Sequence, residues 1–385
     1  MLACLLAETR AGLICAEEGY SPHARCRDAE IAAVLPLRLM PGRTVFQPTA
    51  VTTSDGNPYR VFTPFMRRWR SLLLPSARDL LPASNRLPAV PAGLLSAEIP
   101  EANPVADSPP GEEEALRRLQ VFADGAHAAV CRYCNGRERL DQSGTSALSP
   151  YLRFGMISAR QAVVAARDST CSTGDGPETW LNELIWREFY QAVLFHFPNV
   201  LKEAFRADLR DIPWQNNPGD FTAWCDGRTG YPVVDAAMRQ LVQTGWMHNR
   251  ARMIVASFLV KDLLIDWRWG ERFFMEHLID GDAAANNGGW QWTAGVGADA
   301  APYFRIFNPI LQARKFDPDG IYVRRWLPEL AHVPTTSIHE PWTMATDVQR
   351  SAGCVIGHDY PAPIIDRQMA RQRTLAAYRS AQGRL

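Results

Sequence analysis

Two short segments of the chain combine acids, amides and indoles, which are side chains suited to holding a planar polar ligand. DGDAAANNGGWQW, from Asp280 to Trp292, contains two aspartates, two asparagines and two tryptophans around a pair of glycines. Isolated carboxylates are costly to bury and indoles are too large to leave in solvent, so this composition predicts a binding site rather than ordinary core. Because glycine and asparagine both disfavour helix, we expect that no long helix runs through the segment.

The second segment, WLNELIWREFY, is predicted to be a helix with two different faces. With a rotation of about 100° per residue, one face of this helix carries two indoles, a phenol, a carboxylate and a guanidinium. These side chains belong to Trp180, Glu183, Trp186, Arg187 and Tyr190. Glu183 and Arg187 are spaced i, i+4 and are expected to pair. An aromatic core face with one salt bridge is the simpler interpretation. The opposite side (Leu184, Ile185, Phe189) is already apolar, however, which favours a ligand on the first face.

A third segment, GWMHNRARM, repeats this mixture of aromatic and polar side chains. One helical face is predicted to hold Trp246, Asn249, Arg250 and Met253, with Arg252 beside it. Buried amide and guanidinium groups need partners, which again favours a bound polar group. The wheel places His248 off this face, in a core or surface position.

A fourth segment, SGTSALSPYLRFG, is typical of a helix start. Ser149 and Pro150 are predicted as its N-cap and first-turn residues. Free backbone N–H groups, hydroxyls and the positive end of the helix dipole together suit a phosphate. No Gly-x-Gly-x-x-Gly turn follows a strand, so a dinucleotide would not be bound in the Rossmann manner.

Composition limits the classes of function. The 385 residues have no net charge, from 41 basic and 41 acidic side chains, so a polyanion must meet a local basic patch. The eight cysteines lack the short, regular spacing of a disulfide scaffold, so we expect a protein of the reducing cytosol. Cys131 and Cys134 have only His127 close by as a further metal ligand, so we expect their spacing to be chance and the protein to bind no metal. Charges interrupt the N-terminal apolar residues and no uncharged apolar run reaches about 18 residues, so neither a signal peptide nor a membrane span is expected.

The elements that must position these segments fall into three parts. Residues 1–95 alternate strand and helix candidates, such as GLICA and RDAEIAAVLPL, and predict a small α/β region. Residues 96–114 are rich in Pro, Ser and acids and are typical of a linker. Residues 115–385 are helical almost throughout. We therefore expect an α+β chain with a Rossmann-like N-terminal remnant and a large all-helical domain.

With these segments in view, the sequence resembles the cryptochrome/photolyase family of flavoproteins, and most of all its class I cyclobutane pyrimidine dimer photolyases. The resemblance rests on the four segments above, on DGRTGYPVVDAAMRQLVQTGWMHNRARM and on DAAPYFRIFNP, and is densest from Tyr133 to Leu330. It implies a light-dependent lyase that repairs UV-damaged DNA. It also implies FAD whose reduced, anionic form gives an electron to the dimer, so that the cyclobutane ring opens.

The resemblance also assigns roles to residues. Cofactor contacts would be Tyr133, Thr145, Ser146, Leu148, Ser149, Trp180, Glu183, Arg187, Arg252, Asp280, Asp282 and Asn286. Arg252 would pair with Asp280, and the Gly288-Gly289 pair would let the backbone turn before Trp290. Electrons would reach the flavin through Trp214, Trp267 and Trp290, and Glu183 and Asn286 would also be catalytic.

The DNA side of the site is implied in the same way. Lesion and DNA contacts would be Arg137, Glu183, Trp186, Asn249, Arg250, Met253 and Trp292. Trp186 and Trp292 would stack on the flipped dimer, since aromatic walls restore the stacking lost on extrusion. Because a chain with no net charge must meet DNA through a local basic patch, we also expect Arg305, Arg314 and Lys315, which lie in or beside these motifs, to contact DNA phosphates. A monomer is expected.

One departure concerns the N-terminal region. Relatives open with a strand bearing a Trp-Phe-Arg-Arg-Asp-Leu-Arg-like run that this chain lacks, so about half of a doubly wound sheet is expected to be missing and strand edges to stay open. Ser21 stands where relatives often have glutamate, and we expect no antenna chromophore.

Four alternatives remain open. A cryptochrome would often have Asp or Cys at Asn286, and a (6-4) photolyase would have histidines at Asn249 and Met253. An iron–sulfur relative needs four C-terminal cysteines, but only Cys354 follows Cys225. An inactive, truncated homologue is the last alternative.

Overall fold

The computed structural model describes residues 1–383 except 83, 85, 87, 88, 90, 95–97, 99–107, 172 and 173. Its N-terminal part alternates helix and strand as predicted: α1 (Leu2–Thr9), β1 (Ile14–Glu17), α2 (Pro22–Ala32), β2 (Leu37–Met40) and α3 (Phe62–Arg70). The two strands are parallel, with Ile14 opposite Leu37. Ser21 caps α2 by accepting the Ala24 N–H at 3.2 Å, and Pro22 occupies the first turn.

The remainder of the described chain is helical. Its helices are α4 (Glu112–Ala123), α5 (Tyr133–Gly136), α6 (Ser149–Arg153), α7 (Ala159–Asp168), α8 (Gly176–His196), α9 (Pro218–Cys225), α10 (Pro232–Thr244), α11 (Asn249–Ser257), α12 (Trp267–His277), α13 (Ala283–Ala294), α14 (Pro309–Phe316), α15 (Ile321–Trp326), α16 (Thr346–Ser351) and α17 (Arg367–Ala381). A π-helical turn, Phe258–Asp262, continues α11. Short 3-10 turns lie at Pro48–Ala50, Ala77–Asp79, Ala129–Arg132, Pro198–Leu201, Ala207–Leu209, Pro328–Leu330 and Pro341–Thr343. The expected architecture is confirmed.

The linker predicted over 96–114 lies largely outside the described residues. At its far end, α4 begins at Glu112, three residues before the helical domain was expected to start. Three glutamates in the first turn favour this helix, because negative charge stabilises a helix N-terminus.

The longest helix, α8, belongs to the helical part and packs against the N-terminal part. Its buried Glu188 carboxylate accepts the indole N–H of Trp69 at 2.7 Å and a backbone N–H from Val45. A buried carboxylate is tolerated when N–H donors surround it. This contact helps fix α8, and with it the face that carries Trp180 and Trp186, against α3.

Across the described residues, no helix is both long and apolar enough to span a bilayer.

Candidate functional site

A cavity of about 490 Å³ brings together most of the residues singled out in the sequence. This central cavity lies between α5, α6, α8, α11, α12 and α13, and its volume is in the range of small-molecule and cofactor sites. Of the predicted site residues, its lining includes Tyr133, Arg137, Ser146, Ser149, Trp180, Glu183, Trp186, Arg187, Asn249, Arg252, Met253, Asp280, Asp282, Asn286, Trp290 and Trp292. Segments from distant parts of the sequence therefore build one site.

The expectation that no long helix runs through DGDAAANNGGWQW is wrong, because α13 spans Ala283–Ala294. Asp282 starts the helix by accepting the backbone N–H groups of Ala284 and Ala285 at 3.0 Å. The two glycines are therefore helical and make no tight turn. A Cβ on Gly288 would lie 2.1 Å from a ring carbon of Tyr190, so this glycine allows α13 to pack closely on α8.

Asp280 and Arg252 form an ion pair at 2.8 Å beside the cavity. The Asp280 side chain is 3% exposed, and its Oδ1 has no hydrogen-bond partner among the described residues. A buried carboxylate oxygen without a donor is costly, so a ligand N–H or O–H at this position is well accommodated. Asn286 is also oriented, since its amide N–H donates to the Glu271 carbonyl at 2.9 Å. Its amide oxygen accepts no hydrogen bond from the residues that the structure describes, so it can accept one from a ligand.

The α8 face lies in the cavity wall as the helical wheel predicts, but its charges pair differently. Glu183 accepts from Arg137 of the segment after α5 at 2.6 Å, whereas Arg187 donates to the Arg43 carbonyl at 2.7 Å. The expected i, i+4 pair between Glu183 and Arg187 is therefore wrong. Each side chain finds its partner on another part of the chain.

The segment before α6 differs slightly from its prediction. Leu148 occupies the N-cap position without a side-chain cap, and Ser149 and Pro150 are the first two helical residues. Ser146 and Ser149 line the central cavity, whereas Thr145 lines a smaller neighbouring cavity. The Leu148 side chain is buried in the apolar core, so only its backbone is left for a ligand.

The face predicted for Trp246 to Met253 is divided by the start of α11. This helix begins at Asn249, with the Nδ1 of His248 accepting the Arg250 N–H at 3.1 Å, so Trp246 lies outside it and lines the smaller cavity. Burial, together with the neighbouring arginines, lowers the pKa of His248 to about 4, so its ring is neutral at pH 7. The predicted single face is therefore wrong for Trp246.

Two of the predicted DNA-contacting arginines are held by acidic side chains. Arg250 pairs with Glu138 and lies over the ring of Phe316, while Arg137 pairs with both Glu138 and Glu183. Arg250 is not in the lining of the central cavity. On α14 and the segment before it, Arg305, Arg314 and Lys315 are exposed, and Arg314 pairs with Glu340.

The three tryptophans of the predicted electron chain differ in burial. Trp290 lines the central cavity and is 2% exposed, Trp267 is also buried, and Trp214 is partly exposed. Trp214 is therefore the one of the three that solvent reaches. Trp290 also has a ring neighbour that no motif in the sequence indicates, Trp224, with centroids 6.1 Å apart.

The cysteines contain a pairing that was not expected. Cys131, two residues before Tyr133 of the cavity wall, forms a disulfide with Cys171. The two cysteines are 40 residues apart in the sequence. Cys134 is free. The partner of Cys131 lies after α7, and no short spacing in the sequence indicates it.

Two residues of the N-terminal part, Arg43 and Phe62, also reach the site. Arg43 approaches the Asp282 carboxylate at 3.8 Å, and Phe62 stacks on Trp186 with ring centroids 3.7 Å apart. Neither residue stands in a motif that indicates a ligand. Their roles follow from contacts that only the folded chain creates.

Comparisons with known proteins agree with this geometry. One family model, described as the FAD binding domain of DNA photolyase, matches residues 180–380, and another, DNA photolyase, matches residues 1–89. A deoxyribodipyrimidine photo-lyase of Escherichia coli (strain K12) is 44% identical over 376 residues, covering 94% of this chain and 77% of that protein. The protein of the same description from Vibrio cholerae is 46% identical over 347 residues, covering 89% and 72%.

Solved structures are similar over almost the whole chain. A bacterial class III photolyase from Agrobacterium tumefaciens matches with a TM-score of 0.88 and 40% identity, covering 99% of this chain and 82% of that one. A cryptochrome from Synechocystis matches with a TM-score of 0.83 and 30% identity, covering 97% and 80%.

Proposed function

This chain belongs to the photolyase and cryptochrome family, and from that premise we propose that it is a light-dependent deoxyribodipyrimidine photo-lyase that splits cyclobutane pyrimidine dimers in UV-damaged DNA. The observation that supports this function best is the content of the central cavity. It combines two features. The Asp280–Arg252 pair has a buried carboxylate oxygen without a partner in the described part of the chain, which suits a cofactor, and two indoles, Trp186 and Trp292, suit stacked pyrimidines.

The residues present fit FAD. Asp280 offers an N–H or O–H donor the oxygen that has no partner among the described residues, and Asn286 offers an amide oxygen. Ser146 precedes α6 and Ser149 begins it, and both line the cavity. FAD bound there would supply the light-driven electron that opens the cyclobutane ring. The Arg252 guanidinium is a fixed positive charge that would favour the reduced, anionic form of the cofactor.

Around the lesion, the protein's task is orientation. Glu183 is held by Arg137 through one carboxylate oxygen, which leaves the other to accept a pyrimidine N–H. Asn249 and Met253 lie one turn apart on α11, with the amide near the thioether sulfur at 3.9 Å. These groups hydrogen-bond and pack but move no proton, which suits a ring opening that needs no general acid.

The same lining argues against repair of the (6-4) photoproduct. That repair needs a proton donor, for which a histidine is apt. Asn249 and Met253 are not acids. His248 lies on the smaller cavity, uses Nδ1 to cap α11 and has a pKa of about 4, so it is not a proton donor at neutral pH.

Resupply of electrons and binding of DNA complete the proposal. Trp290, Trp267 and Trp214 would conduct electrons from the surface to the cavity. DNA phosphates would be met by Arg137, Arg250, Arg305, Arg314 and Lys315, so affinity should fall steeply with salt. We further propose that the protein works as a monomer without an antenna chromophore in the cytosol, where Cys131 and Cys171 would be reduced thiols.

A direct assay tests this function. The chain is reconstituted with FAD, reduced, mixed with an oligonucleotide that contains one cyclobutane dimer, and sampled in light and in darkness. We expect dimers to disappear only in light. A flavin-loaded protein that leaves the dimer intact would refute repair and favour the light-sensing role of a cryptochrome; a folded protein that retains no flavin would refute the cofactor assignment.

A further inference from the structure

One face of the lesion-stacking candidate Trp186 is covered by an aromatic ring from the N-terminal part of the chain. Phe62, the first residue of α3, lies with its ring centroid 3.7 Å from that of the indole and the two planes 5° apart. Trp186 also lines the central cavity, beside Tyr190. Because Phe62 occupies one face, the indole can present only its opposite face and its edges to a ligand.

Phe62 is itself fixed from a second direction. Its backbone N–H donates to the Asp299 carboxylate at 3.1 Å, and this acidic group stands at the positive N-terminal end of α3. Asp299 lies in the segment that follows α13, with a left-handed φ of 49°. Phe62 therefore contacts α8 through its ring, which stacks on Trp186, and the segment after α13 through its backbone N–H.

We propose that Phe62 is a positioning residue for lesion recognition, and that the N-terminal region thereby forms part of the lesion pocket. This inference rests on the proposed function. An indole held in place before binding loses less side-chain freedom when a base stacks on it, so preorganisation increases affinity. The interaction between two aromatic rings of this kind changes an equilibrium constant by about 2- to 10-fold.

A purely structural role for Phe62 is the competing explanation, because its ring also packs on Phe189 with centroids 5.9 Å apart. Phe65, one turn further along α3, supplies a matched control. It is similarly buried and packs on the same Phe189 at 5.3 Å. If Phe62 merely supported the fold, Phe62→Leu and Phe65→Leu would have similar effects on lesion binding.

The test measures, in darkness, the affinity of flavin-loaded protein for an oligonucleotide with one cyclobutane dimer and for its undamaged counterpart. We expect Phe62→Leu to weaken dimer binding by about 2- to 10-fold with unchanged flavin content. Phe65→Leu should leave dimer binding unchanged, and Phe62→Tyr should bind like the original protein. In a Trp186→Leu background, Phe62→Leu should have no further effect, since its action passes through the indole.

The inference would be overturned by unchanged dimer affinity in Phe62→Leu, by the same loss in Phe65→Leu, or by an equal loss from Phe62→Leu in the Trp186→Leu background. If Phe62→Leu loses its flavin, Phe62→Met replaces it; loss of flavin by both variants also overturns the inference, because Phe62 then supports the fold. An original protein that does not prefer the damaged oligonucleotide would instead contradict the proposed function.

Discussion

The paired glycines of α13 give a prediction in which each is the control for the other. A Cβ added to Gly288 would lie 2.1 and 2.4 Å from two ring carbons of Tyr190, whereas one added to Gly289 would have nothing within 4 Å. Both positions are inside the same helix, so alanine gains about 1 kcal/mol of helix propensity at either. The difference between the two variants therefore isolates the contact between α13 and α8.

The magnitude follows from that contact. Tyr190 is a poor candidate for moving aside, because its ring packs against Trp186 and Phe189 at 5.5 and 5.8 Å. Overpacking of this kind costs about 1–3 kcal/mol. Gly288→Ala should therefore be less stable than Gly289→Ala by about 1–3 kcal/mol, since the propensity gain is common to both.

The comparison is made by urea unfolding of flavin-free protein, followed by circular dichroism, so that ligand contacts do not enter. Gly289→Ala should unfold at the same or a higher urea concentration than the original protein, and Gly288→Ala at a lower one. Equal midpoints for the two variants, or a less stable Gly289→Ala, would refute the close packing of α13 on α8.

Three further predictions concern electron supply, DNA affinity and pH. Trp290→Phe should block photoreduction of oxidised flavin yet spare repair by chemically reduced protein; equal loss in both assays would contradict the electron-chain role. Glu138→Gln should release Arg250 from its ion pair and raise the affinity for undamaged duplex DNA several-fold at low salt, with a steeper salt dependence. Fluorescence anisotropy measures both. An equal rise in affinity in the charge-matched control Glu113→Gln would show only a general charge effect. Burial lowers the folded-state pKa of His248 to about 4 from its ordinary value of 6.5. The neutral ring therefore contributes up to about 3 kcal/mol to the free energy of unfolding above pH 6.5, and this contribution is lost as the pH falls towards 4. His248→Asn keeps a capping side chain, and its free energy of unfolding should fall less over that range; identical pH profiles would contradict the buried, neutral ring.

Side chains that one helix presents together could be predicted from the sequence. The α8 face was correct because helical periodicity alone fixes which residues share an arc, and Trp180, Trp186 and Tyr190 do line one cavity. The strand at Ile14–Glu17 was likewise indicated by a short apolar run. Such local patterns need no knowledge of the rest of the chain.

Partners chosen across the fold could not be predicted. Glu183 pairs with Arg137, 46 residues away, rather than with Arg187, because the approach of α5 decides which guanidinium is close. The helix through Gly288 violates local propensity, which packing against Tyr190 and capping by Asp282 override. The stacking of Phe62 on Trp186 is likewise absent from any local pattern.

Repair of two different lesions under the same light tests the proposed activity and its specificity together. Reduced, FAD-loaded protein is illuminated with oligonucleotides that contain either a cyclobutane thymine dimer or a (6-4) photoproduct, and restored thymine absorbance is followed against dark controls. The geometry of Glu183, Asn249 and Met253 predicts light-dependent recovery for the cyclobutane dimer and none for the (6-4) lesion. Comparable recovery for the (6-4) lesion, or no recovery for the cyclobutane dimer, would contradict it.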